Sequence, residues 1–225
     1  MRNPRSVIGH NPDALARAAG FRRLAGVDEA GRGSWAGPVV ASAVMLRKPR
    51  LAVRIDDSKR LTPLQRARAF DAIVTSADVG IGILCSEDID RWNILRATLL
   101  AMEQAIQQLP SLPDLVLIDG TCAPQSAAPC WPIIRGDQRS YAISCASIIA
   151  KVPRDRLMAF YHAISPEYGF HRHKGYGTAH HAARLAQHGP SVLHRFSFAP
   201  VAAWGKLGFA SMTVDRDALV PAAAD

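Results

Sequence analysis

No run of about 18 or more apolar residues occurs in this chain, and no hydrophobic stretch follows its Met-Arg-Asn-Pro-Arg start, so it offers neither a membrane span nor a signal peptide of the usual kind. The cytoplasm is the expected compartment, with no membrane partner. Its four cysteines, Cys85, Cys122, Cys130 and Cys145, form no C-x-x-C pair. Cys85 and Cys145 lie in apolar segments that read as buried elements, so a disulfide framework is not expected. Internal repeats, low-complexity blocks and linkers are absent as well. With 225 residues, 48% of them hydrophobic, the chain can bury a sizeable core as one large domain or two small ones.

Positive charge is plentiful. There are 27 Lys and Arg against 19 Asp and Glu, a net charge of +8, and the pI is near 9.8. Residues 1–75 hold 14 basic and 6 acidic side chains, residues 76–150 hold 4 and 8, and residues 151–225 hold 9 and 5. A cationic surface at both ends of the chain points to an anionic partner, nucleic acid first, against the plainer alternative of a soluble basic protein.

The pattern of apolar residues predicts alternating strands and helices. Residues 24–30 and 37–46 read as a hairpin joined through a Gly-rich turn, and a helix runs from Pro63 to about Val74 with Thr62 as its N-cap. "VGIGILC", 79–85, reads as a strand. Residues 88–108 carry Ile89, Trp92, Leu95, Leu99, Met102 and Ile106 at helical spacing, which predicts one long amphipathic helix. "DLVLIDG", 114–120, is a buried strand ending at Asp119, and "PIIRG" a short strand before Asp137. Residues 141–164 form a helix that Pro153 should kink or break unless packing compensates. A loop, "SPEYGFHRHKGYGT", precedes a helix from Thr178, and the tail beyond Gly205 is expected to be disordered. One α/β domain with a small C-terminal helical segment is the economical result.

Within this frame the acidic residues stand out. Asp28 and Glu29 lie in an apolar stretch, where uncompensated carboxylates are costly. Strand alternation sends neighbours to opposite faces, so the strand is expected to end or twist there, with Gly31 and Gly33 supplying the freedom. Asp119 ends a second strand, and Asp137 follows a glycine after a third. Oxygen ligands gathered at strand ends suit a hard divalent cation, magnesium or manganese. Taken singly, each has a blander role as turn former or cap. His171, His173, His180 and His181 admit a zinc site, but no cysteine stands among them and Arg172 and Lys174 intervene. A surface that grips phosphates and stacks on a sugar or base fits His171, Arg172, His173, Lys174 and Tyr176 better, with a plain solvated loop as the remaining alternative.

Several separated segments resemble one family. "GVDEAGRGSWAGPVVASAVML", "DDSKRLT", "WNILRATLLAM", "VLIDG", "RGDQRSYAISCASIIAKVPRD", and "HKGYGT" with "GPSVLHRFSFAPV" occur in the order found in ribonuclease HII, over roughly residues 24–201. The resemblance implies a ribonuclease H-like fold, a mixed five-stranded sheet flanked by helices. The domain would span 21–204, with a helical segment from about 165, an extension at 1–20 and a tail at 205–225. It implies a monomer that acts on RNA/DNA hybrids and on ribonucleotides within duplex DNA. Asp28, Glu29, Asp119 and Asp137 would then be catalytic and would bind two divalent ions, Mn2+ or Mg2+. Gly31, Arg32 and Gly33 would sense the 2′-hydroxyl, Tyr176 would pack on the sugar, and Lys59 and Lys174 would approach the substrate backbone. Ser34, Trp35, Thr121, Cys145 and Pro153 depart from the family's usual residues, and none replaces an acidic one. Two rivals remain open, a non-catalytic nucleic-acid-binding module and another two-metal nuclease on the same fold.

Overall fold

The computed structural model describes residues 11–48 and 50–205. Five strands, β1 (Leu24–Ala30), β2 (Val39–Leu46), β3 (Ala77–Leu84), β4 (Leu115–Asp119) and β5 (Cys130–Ile133), form a mixed sheet in the order β3-β2-β1-β4-β5. The first three are antiparallel neighbours, while β1–β4 and β4–β5 are parallel. Around them lie α1 (Pro12–Ala18), α2 (Pro63–Ser76), α3 (Ser86–Trp92), α4 (Ile94–Gln107) and α5 (Tyr141–Ile164), followed by α6 (Phe170–His173), α7 (Ala179–His188) and α8 (Ala199–Gly205). None of the described helices is long and apolar enough to cross a membrane. The tail expected from residue 205 falls, beyond Gly205 itself, outside the described residues.

Alternation along β1 assigns its side chains to two cores. Ala25 and Val27 join Ala41, Ala43 and the α4 residues Ala97, Ala101 and Met102 on one face. On the other face Val44 meets Cys145, Ala146 and Ile149 of α5. Helix α5 approaches so closely that a Cβ on Gly26 would fall within the backbone of Ala142. The start of α5 is capped from elsewhere in the chain. Tyr141 and Ala142 donate their N–H groups to the Asp13 carboxylate at 3.0 and 3.1 Å, and Ser140 accepts from the Ile143 N–H at 3.2 Å. Ala16 packs with Leu24, Leu117 and Ile143, so α1 is built into the body.

Two local expectations need correction, and the alternatives left open at Pro153 are decided. The single helix expected over 88–108 is two, because Asn93 adopts φ 63° and its side chain caps α4 by accepting from the Arg96 N–H at 3.1 Å. That backbone is rare for a non-glycine residue, and three-and-four spacing continues across the break, so periodicity could not reveal it. Trp92 and Leu95, read as part of the buried stripe, flank the break and are exposed. The strand expected at 132–136 spans Cys130–Ile133, since Arg135 is left-handed and Ile134 faces solvent. Pro153 does not break α5, which runs on to Ile164. A proline there costs about 3 kcal/mol in an exposed helix, but fully buried Ile148, Ile149 and Ala150 before it and Arg154 and Met158 after it hold the helix in place.

Gly26→Ala is expected to destabilise the fold by about 1–3 kcal/mol or more, because the clash is with backbone that cannot step aside. Urea unfolding checks it, and an unchanged midpoint would contradict the close packing of α5 on β1.

Candidate active site

Asp28, Asp119 and Asp137 each present a carboxylate oxygen within 4.8 Å of the others. The sheet brings them together. β1 and β4 run parallel up to the pair Val27↔Ile118, so the next residues, Asp28 and Asp119, leave the ladder side by side. Both lie on the α5 face, Asp28 in phase with Gly26 and Asp119 with Leu117. Asp137 arrives on a 3-10 turn, Gly136–Gln138, just ahead of α5. That turn is pinned to its partner: the Gly136 N–H donates to Asp119 Oδ1 at 2.6 Å, and Ser144 Oγ donates to the Asp137 carbonyl at 2.6 Å.

These carboxylates repel one another. Burial, then Glu29, Asp119 and Asp137, hold the Asp28 carboxyl well above its ordinary range. Burial, then Asp119 and Asp57, raise Asp137, against the opposing pull of Lys59. The Lys59 ammonium lies 3.6 Å from Asp137 and is largely exposed. Its segment is docked by the Ser58–Ser147 hydroxyl contact at 2.8 Å, and Asp57 accepts the Lys59 N–H at 3.0 Å.

Glu29 stands apart from this trio. The strand does not end at the acidic pair, because Asp28, Glu29 and Ala30 all stay paired with β2, opposite Ser42, Ala41 and Val40. Strict alternation therefore sends Glu29 to the α4 face. There it lines a small cleft with Arg32, Thr98, Met102, Asp119 and Cys122. Arg32 lies 3.6 Å away and partly offsets the burial that raises the Glu29 carboxyl. Asp119, at the strand terminus, faces both the trio and this cleft.

Beyond β1, Gly31–Ser34 form a turn closed by the Ser34 N–H on the Gly31 carbonyl at 3.3 Å. Gly31 has φ +91°, and a Cβ there would collide with the Arg154 guanidinium. Gly33 differs, for nothing in the chain lies within 4 Å of where its Cβ would be. Two fully buried arginines carry the turn from beneath. Arg195 donates to the carbonyls of Gly31, Arg32 and Gly37 at 2.7, 3.0 and 3.0 Å. Arg154 donates to the carbonyls of Pro38 and Lys174 at 3.0 Å each and to Ser34 Oγ at 2.8 Å. The sequence pattern assigns no role to either arginine, Arg154 in "KVPRD" or Arg195 in "HRFSF". No local signal marks them: Arg154 stands beside Asp155 and Arg156, and Arg195 follows His194.

The same arginines join the turn to the loop bearing Tyr176. Trp35 donates its N–H to the Gly175 carbonyl at 2.8 Å, and Ser34 bridges to Tyr176. Tyr176 is 38% exposed, with Arg154 Cζ 5.5 Å and Lys151 Nζ 5.9 Å from its ring centre. Lys174 is half-buried and its ammonium donates to the His171 carbonyl at 2.7 Å, which leaves two of its three donors for other partners.

Among the described residues the histidines do not gather as a metal site, and His173, read as part of a phosphate-facing loop, points inward while His171, Arg172 and Tyr176 stay exposed. His173 and His181 are buried and stack at 4.3 Å, and His194 joins them. Backbone partners set their tautomers. The Ser191 N–H donates to His194 Nδ1 at 2.9 Å, so His194 Nε2–H donates to His181 Nε2 at 3.1 Å and His181 Nδ1–H to the Tyr176 carbonyl at 3.0 Å. Each ring must be neutral to do this.

Burial and the neighbouring rings push His181 down to about 4 and His194 to about 3. A depressed folded pKa stabilises the fold fully above the unfolded value, about 6.5, and that contribution disappears as pH falls through the folded value. The raised carboxylates act in the opposite sense at low pH, so a difference measurement is needed. The stability advantage of the wild type over His194→Gln should shrink as pH is lowered from about 6.5 to about 4. Melting curves for the two proteins across that range check this, and a constant gap would sink it.

A sequence model of the family described as Ribonuclease HII matches residues 25–201. Ribonuclease HII of Chlamydia muridarum is 52% identical over 184 residues, covering 81% of this chain and 84% of that one. Among solved structures, ribonuclease H2 from Pyrococcus horikoshii OT3 superimposes with a TM-score of 0.71 at 23% identity, over 83% of this chain and 98% of its own. Bst-RNase HIII in complex with Mn2+ does so with 0.67 at 20% identity, over 92% and 77%. Those two likenesses carry the fold. The family match across the whole sheet and both flanking layers, with half the residues shared with a relative over most of both chains, places this chain in the ribonuclease HII family, as a metal-dependent ribonuclease of the ribonuclease H fold.

Proposed function

We propose that this ribonuclease, whose family is an endonuclease on the RNA strand of RNA/DNA hybrids, also cuts 5′ of single ribonucleotides embedded in duplex DNA, leaving a 5′-phosphate and a 3′-hydroxyl. The observation that supports this most is the Gly31–Ser34 turn beside the acidic trio. The Arg32 and Gly33 N–H groups have no partner among the described residues, and the space beside Gly33 is empty. A backbone that close to an open surface can contact a sugar hydroxyl, the group that distinguishes RNA from DNA.

The donor set fits a hard divalent cation, being oxygen only, convergent and under-compensated by nearby positive charge. Bound as a pair, Mn2+ or Mg2+ would activate the attacking water and neutralise the leaving 3′ oxygen. Asp28, Asp119 and Asp137 would hold them, with Glu29 contributing from the α4 face beside Asp119. Lys59 stands exposed beside Asp137, where it can meet a backbone phosphate. Tyr176 offers its ring to the sugar at the RNA–DNA junction. Positioning and charge neutralisation suffice for in-line phosphoryl displacement, so no protein nucleophile is required.

A duplex carrying one ribonucleotide, incubated with Mg2+ or Mn2+, should be nicked on its 5′ side. Asp119→Asn should fold and bind but lose more than the roughly hundredfold that removing a mere supporting partner costs. Binding without cleavage by the wild type in both metals would refute the enzyme's action on this substrate. Gly33→Ala should melt within about 0.5 kcal/mol of wild type, as the chain leaves room for a methyl group, while cleavage at the ribonucleotide falls. Undiminished cleavage by that variant would detach the turn from sugar recognition.

A further inference from the structure

Arg195 has no place in the chemistry described so far, yet it is fully buried and its side-chain hydrogen bonds all go to main-chain carbonyls, with Phe198 beside its guanidinium. Two of those carbonyls belong to Gly31 and Arg32, consecutive residues of the turn at the edge of the acidic trio. In a planar trans peptide the C=O of one residue and the N–H of the next point in opposite directions. All described peptide bonds here are trans. A fork that draws the Gly31 and Arg32 carbonyls inward therefore turns the Arg32 and Gly33 N–H groups outward. Both residues are exposed and neither N–H is used by the chain.

The third contact fixes the base of the same device. The Gly37 carbonyl also accepts from Arg195, so the side chain holds both ends of the 31–37 segment, and the Arg195 N–H donates to the Trp35 carbonyl within it at 2.8 Å. Arginine suits this role because its planar fork presents several donors in fixed directions, which the single ammonium of lysine cannot reproduce. No carboxylate pairs with Arg195 among the described residues, and burial pushes its guanidinium down to about 9, so it keeps its charge at neutral pH.

We infer that Arg195 is a positioning residue for substrate choice: by holding the Gly31 and Arg32 carbonyls inward it aims the Arg32 and Gly33 amides at the 2′-hydroxyl of the ribonucleotide. It touches no substrate atom itself. The inference rests on the proposed cleavage at embedded ribonucleotides.

The test measures binding in an Asp119→Asn background, with Mg2+, of a duplex containing one ribonucleotide and of the same duplex in all-DNA form. The ratio of the two dissociation constants reports sugar sensing alone. In the parent the ratio should favour the ribonucleotide. With Arg195→Lys, which keeps the charge and removes the fork, the ratio should fall about tenfold, the scale of a lost hydrogen bond or two, while all-DNA binding is retained. An unchanged ratio, or equal weakening of both duplexes, overturns the positioning role. A parent ratio of one overturns the ribonucleotide reading itself, and the positioning role with it. Should Arg195→Lys fail to fold, amide resonances in the parent decide. Those of Arg32 and Gly33 should shift with the ribonucleotide duplex and not with the all-DNA duplex, and identical shifts would end the proposal.

Discussion

The parallel pairing of β1 with β4 is the constraint on which the site depends. It stops at Val27↔Ile118, so the residues that follow on each strand are two carboxylates, Asp28 and Asp119, released together at the end of the ladder. Asp137 is then drawn in by a hydrogen bond from the Gly136 N–H to Asp119. The turn carrying Asp137 leads directly into α5, whose close seat on β1 needs a glycine at position 26. The capped start of α5, the missing Cβ of Gly26 and the acidic trio are consequences of one packing arrangement.

Charge is concentrated around this point. The trio is a concentration of negative charge that burial makes costly for the protein alone, as the raised Asp28 carboxyl shows. A site held in that condition is pre-organised for a cation, which removes the cost on binding. On the far side of the Gly31–Ser34 turn lie two buried guanidiniums that face carbonyls instead of carboxylates. Behind those stands a stack of histidines kept neutral by a directed chain of hydrogen bonds that ends on the Tyr176 carbonyl. The buried guanidiniums and the neutral histidines thus fix the turn and the Tyr176 loop, while Lys59 and Arg32 approach the carboxylates themselves.

Much of this was legible from residue order. The strand at 24–30, the Thr62 cap, the end of β4 at Asp119 and the helix through 141–164 follow from apolar runs, cap chemistry and turn residues. The acidic residues attracted notice because carboxylates in apolar frames are anomalous. The break at Asn93 was invisible, since its flanking residues keep helical spacing while one backbone angle changes sign. The histidines misled for a related reason. Loop composition suggested that His173 belongs to an exposed phosphate surface, whereas it turns inward and stacks on His181.

By itself the sequence determined the alternation of strands and helices, the family and the residues able to bear a metal, because these depend on local pattern and on side-chain chemistry. Tertiary structure alone decided which carboxylates meet, sending Asp28 to the trio and its neighbour Glu29 to the opposite face, because strand alternation acts only once register is set. It also decided that Arg154 and Arg195, distant in sequence from Gly31, would lie beneath it. Buried cations must find oxygen partners wherever the folded chain places them, and here those partners are the carbonyls of the turn and of the loop that carries Tyr176.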